Sequence, residues 1–148
     1  VRGIRLKDDK DEVVGMISVN DMESDILVVS ENGYGKRSSL DAYRMTNRGG
    51  KGVKTISVTD KTGKLVSLKN VTDNDDLMII NKSGIAIRME VSSLRVMGRA
   101  TQGVKLINLK DNDAIAAVAK VVHDDDNIED LENIEVDIAD KNLDNKND

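Results

Sequence analysis

Apolar residues in this chain fall in short runs rich in Val and Ile, broken every few positions by Gly, Asn, Asp or Ser. Ile26-Leu27-Val28-Val29 leads into Asn32-Gly33, and Leu77-Met78-Ile79-Ile80 leads into Ser83-Gly84. Runs of this length and make-up, bounded by residues that tolerate positive φ, predict strands joined by tight hairpins and not helices. Thr62-Gly63 supplies another turn, and Asp8-Asp9-Lys10-Asp11 and Asp111-Asn112-Asp113 have the composition of polar hairpin tips.

The pattern returns when the sequence is laid on itself at a shift of 51 or 52 residues. Val1-Arg2-Gly3-Ile4-Arg5-Leu6, Val53-Lys54-Thr55-Ile56-Ser57-Val58 and Val104-Lys105-Leu106-Ile107-Asn108-Leu109 share one arrangement, as do the two runs before Gly33 and Gly84. Arg48-Gly49-Gly50-Lys51-Gly52-Val53 likewise matches Arg99-Ala100-Thr101-Gln102-Gly103-Val104. A period near the ~40–50 residue range with roughly four strands in each is that of propeller-like blades. The predicted fold class is therefore all-β, with tandem four-stranded blades in two full modules, 1–52 and 53–103, and part of a third, 104–122. One blade alone buries little, so stacked neighbours are expected to share a core.

Composition narrows what such blades could do. The 148 residues include no Phe, Trp or Pro, and Tyr34 and Tyr43 are the only aromatics, so the core must be aliphatic and stacking platforms for single-stranded bases are scarce. Cysteine is absent, which excludes disulfides and thiolate metal sites. No apolar run approaches the ~20 residues of a membrane helix and no signal peptide is visible, so the expectation is a cytoplasmic protein without a membrane partner. Starting at Val1 and inside a repeat, the chain is read as a piece of a longer one. Its net charge of −5 conceals two regions: residues 1–122 carry 20 Lys/Arg against 16 Asp/Glu, while residues 123–148 carry 2 against 11. The acidic stretch lacks the strand pattern and is expected to be a disordered tail.

Two kinds of basic position recur in register. Thr46-Asn47-Arg48-Gly49-Gly50-Lys51-Gly52 and Met97-Gly98-Arg99-Ala100-Thr101-Gln102-Gly103 combine small residues, over which a backbone can approach a phosphate, with Arg48, Lys51 and Arg99 to neutralise it. The same composition suits a flexible connector; repetition at matching positions favours the phosphate reading. After the glycine turns, Lys36 and Arg37 in the first module and Arg88 in the second predict a basic rim along stacked blades, against the alternative of solvated strand ends. Other chemistry finds no support. Gly33-Tyr34-Gly35-Lys36-Arg37 lacks the spacing of a nucleotide loop, the aspartate clusters lack that of a calcium loop, and His123 has no triad partners in view.

These motifs together resemble the C-terminal domain of DNA gyrase A, over essentially residues 1–122. The resemblance implies a β-pinwheel of about six blades that wraps double-stranded DNA and so supports ATP-dependent negative supercoiling by the holoenzyme, a type II topoisomerase. It implies gyrase B and a second copy of gyrase A as partners, with ATP and magnesium bound in other regions and no cofactor or catalytic residue here. The family's Gln-Arg-Arg-Gly-Gly-Arg-Gly box survives only in degenerate form at residues 46–52, so phosphate contact alone is carried over, to Arg48, Lys51 and Arg99. The alternatives are the matching domain of topoisomerase IV and a propeller-type protein scaffold. For the acidic tail, two roles stand open: competition with DNA for the basic body, or solubility.

Overall fold

The computed structural model describes residues 1–122; the expectation for the tail lies outside the described residues. The two apolar runs become β1 (Asp25–Ser30) and β4 (Asp75–Asn81). Each turns back at its glycine, Gly33 at φ 83° and Gly84 at φ 88°, into β2 (Tyr34–Ser39) and β5 (Ala86–Glu90). The residue that ends the first strand fastens each turn: Ser30 Oγ donates to the Tyr34 carbonyl at 3.0 Å, and Asn81 Oδ1 accepts from the Ile85 amide at 2.7 Å.

Strands from later in the chain complete the sheets. β3 (Leu65–Val71) pairs antiparallel with β1, and β7 (Ile115–Val122) does the same with β4. Both pairings shift register at equivalent places, between Val29 and Ser30 and between Ile80 and Asn81. A short β6 (Val104–Lys105) lies against the outer edge of β2, giving a four-stranded sheet β3-β1-β2-β6, while the second sheet, β5-β4-β7, has three strands.

The repeat predicts that each four-stranded sheet coincides with one stretch of sequence. Instead the first sheet takes strands from all three sequence modules, because the strand that covers each edge arrives from a following repeat. The exchange also explains why residues 1–6 and 53–58, near-copies of the β6 region, form no strand: an extended segment becomes one only when a neighbour takes its backbone groups.

β1 is buried on both faces, which is why it reads as a continuous apolar run. Leu27 and Val29 point into a core shared by the two sheets with Val71, Leu77, Ile79, Val91, Leu94, Ile107, Ile115 and Val118. Ile26 and Val28 point the other way, onto Ile56 with Ile17, Leu40 and Tyr43. At roughly 1.5–3 kcal/mol for each fully buried aliphatic side chain, the shared core dominates the cohesion of the two sheets.

Candidate nucleic-acid interface

The basic positions divide into buried and exposed sets. Arg37, on β2, is not part of an exposed rim. Only 8% of it is accessible, its Nε donates to Asp25 Oδ2 at 2.5 Å, and its Nη1 donates to Asp73 Oδ1 at 2.5 Å and the Val91 carbonyl at 3.4 Å. Burial works against the charge, but the hydrogen bonds that Arg37 donates to Asp73 and Asp25 outweigh it and hold the guanidinium pKa above its ordinary value. Arg88 is its repeat equivalent, with Nε on Asp76 Oδ2 at 2.6 Å and half of the side chain exposed. The sequence carries a sign of this pairing, since in each module an aspartate stands twelve positions before the arginine.

Lys36 departs further from the expected rim, being 1% accessible. Its ammonium donates to the Gly98 carbonyl at 2.7 Å, to the Arg99 carbonyl and, at 3.4 Å, to Thr101 Oγ1. Burial, with the nearby charges of Arg99 and Lys54, lowers its pKa from 10.5 to about 8. In this conformation Lys36 and Arg37 offer no free charge to a ligand.

Arg48 and Lys51 are exposed and Arg99 is half-buried, and each lies on a loop pinned to the preceding part of its own repeat. The Arg5 amide donates to the Gly50 carbonyl at 2.9 Å and the Gly49 amide to the Gly3 carbonyl at 2.8 Å. One repeat on, the Ser57 amide donates to the Thr101 carbonyl at 3.3 Å, and Arg99 Nη1 donates to the Lys54 carbonyl at 2.6 Å. The pinning brings Arg2, Arg5 and Arg48 around an open cleft of about 630 Å³ that also touches Asn47 and Gly49. Arg5 is shared with a second hollow, lined by Leu6, Lys7, Asp11 and Lys51.

Arg2 and Lys54 recur in register after the repeated valines, but their place beside the glycine loops, like that of Arg5, depends on backbone pairing across more than 40 residues. Among the described residues, ion pairs form at Arg37, Arg88 and Lys120, and none joins Arg48, Lys51, Lys54 or Arg99 to another described residue. No group of three or more His, Asp or Glu side chains among them could hold a metal ion, and no helix among them is long and apolar enough to cross a membrane.

Short sheets that exchange strands around a shared aliphatic core, with basic glycine loops pinned back onto the start of their own repeats, define a propeller-type repeat protein. The family described as DNA gyrase C-terminal domain, beta-propeller, matches residues 1–20, 24–72 and 75–121, and the chain belongs to that family. The DNA gyrase A protein of Staphylococcus epidermidis (strain ATCC 12228 / FDA PCI 1200) is 44% identical over 128 residues, which cover 86% of this chain and 14% of that protein. A solved structure of the DNA gyrase A C-terminal domain superimposes with a TM-score of 0.75 at 30% identity, covering 82% of this chain and 41% of that one. The C-terminal domain of DNA topoisomerase IV shares the fold, with a TM-score of 0.76 at 20% identity over 82% of this chain and 38% of its own.

Proposed function

We propose that this chain is a non-catalytic region of a gyrase A protein that binds and wraps duplex DNA, supporting ATP-dependent negative supercoiling by a cytoplasmic holoenzyme with gyrase B and a second copy of gyrase A. The observation that carries the reading is the cationic cleft of Arg2, Arg5 and Arg48, echoed one repeat later by Arg99 beside Lys54. Arginines and lysines without carboxylate partners among the described residues, on loops held by backbone bonds, suit phosphate oxygens and carry little base specificity. Arg88 joins them through the half of its side chain that faces solvent. Bending duplex DNA below its ~150 bp persistence length requires many such contacts spread along a surface, which repeats provide. Higher identity to the gyrase domain than to the topoisomerase IV domain, 30% against 20%, supports the gyrase side.

The test is a salt titration of duplex binding by the full chain, with single-stranded DNA as control. Duplex preference with a steep salt slope is expected, and Arg48→Ala, Lys51→Ala and Arg99→Ala should each make the log–log slope shallower by about 0.9. A folded chain without duplex preference, or slopes unchanged by all three substitutions, overturns the reading.

A further inference from the structure

A lysine sealed inside a sheet protein, with three oxygens around its ammonium and two further cations near it, calls for a reason. Lys36 sits on β2 opposite Val28, on the face that packs on Ile56. Its stem is covered by the Gly103 backbone just before β6, where a Cβ would lie 3.3 Å from Lys36 Cβ and 2.5 Å from the Gly35 carbonyl oxygen. All three oxygens it reaches belong to the loop at residues 98–101. The two carbonyls and the hydroxyl turned toward the ammonium hold this loop where Arg99 Nη1 reaches the Lys54 carbonyl.

We propose that Lys36 is a positioning residue, a buried clamp that fastens the 98–101 loop so that Arg99 and Lys54 together receive one DNA phosphate. The inference rests on the duplex-binding reading and goes beyond it, since Lys36 itself touches no DNA. The second repeat has Ile87 at the equivalent position, which cannot clamp a loop in this way. Around Lys36 the facing charged groups are Arg99 from the loop and Lys54 from the segment before β3. From β1 it meets Val28, and the backbone before β6 brings Gly103. Arg37, next along β2, faces the other way onto Asp25 and Asp73. A phosphate held by Arg99 and Lys54 would favour the charged ammonium, so by linkage duplex affinity falls as pH rises through about 8.

The experiment measures duplex affinity of the full chain from about pH 6.5 to about 9.5 at fixed ionic strength, for the unsubstituted protein, Lys36→Arg and Lys36→Met. Amide hydrogen exchange of residues 98–102 is followed alongside. The unsubstituted protein should weaken about fivefold or more across that range. Lys36→Arg, charged throughout, should restore binding with a flat profile. Lys36→Met should bind weakly with a flat profile and show faster exchange in the loop. A flat profile for the unsubstituted protein, the same pH dependence in Lys36→Met, or loop exchange unchanged by that substitution each overturns the proposal. If the folded unsubstituted chain binds no duplex at any pH, the DNA reading falls and the phosphate role with it. The exchange data then report separately whether the clamp exists.

Discussion

The first and second sheets are built from equivalent sequence, yet they treat the same residue types in opposite ways. On β2 the central residues are buried, and a lysine and an arginine lie inside with dedicated partners; on β5 exposed and half-buried positions alternate, and the equivalent arginine is half in water. The difference follows from what lies beside each strand. β2 is covered by β6 and by residues 96–107, whereas β5 has no strand on its outer edge among the described residues. A repeat in sequence thus becomes a repeat in energy only where its neighbours also repeat.

The contrast is sharpest at the two arginine–aspartate pairs. Arg37→Ala leaves Asp25 buried without its main partner and should cost roughly 3–5 kcal/mol. Arg88→Ala also takes a partner from a buried carboxylate, Asp76, but the guanidinium removed is half in water, so the cost should be smaller, about 1–3 kcal/mol. Urea denaturation of both variants checks this, and equal losses would mean that strand coverage does not control the pairs.

Next in size is the close approach at Gly35. A Cβ there would lie 2.5 Å from Leu106 Cδ1 and 2.8 Å from the Val28 carbonyl oxygen, so Gly35→Ala should destabilise by about 1–3 kcal/mol through overpacking. Position 86, its equivalent on the uncovered strand, is already alanine, and Ala86→Gly should change stability by no more than about 1 kcal/mol. Thermal unfolding midpoints of the two variants separate a steric effect from a general intolerance of change on these strands.

A separate effect is one of pH. Lys36 has a folded-state pKa of about 8 against 10.5 for an ordinary lysine, so between those values the unfolded chain binds more protons. Stability from this residue therefore rises as pH increases from about 8 to 10.5, and the term is absent in Lys36→Met. Comparing the two proteins by denaturation at about pH 7.5 and about pH 9.5 isolates it, and parallel curves would contradict the lowered pKa.

Much of this is legible in the sequence. Val/Ile runs ending in Asn32-Gly33 and Ser83-Gly84 specify hairpins through local sterics alone, and the shift of 51 or 52 residues exposes the repeat. What the sequence conceals is long-range. Tyr34-Gly35-Lys36-Arg37-Ser38-Ser39 has no aliphatic signal and reads as a surface strand, yet it lies in the interior because β6 and the 98–101 loop close over it. Burying a polar strand is costly unless its charged groups find partners, and those of Lys36 stand up to 65 positions away; Ser38 Oγ, also buried, has no partner among the described residues. The loop set, Arg48, Lys51 and Arg99, is easier to find because its glycines and charges are adjacent in sequence.

Strand exchange also has a consequence for how the protein is made. The β1–β2 hairpin can form as soon as it is synthesised, but β6 is still some 65 residues away, roughly 3–13 s at ordinary translation rates. During that interval the outer edge of β2, with Lys36 and Arg37 on it, lacks the chain that will enclose it. These two charges keep the waiting strand hydrated and hinder its pairing with another nascent chain. Arg37 already has Asp25 beside it within the hairpin, whereas Lys36 is enclosed only when the 98–101 loop arrives.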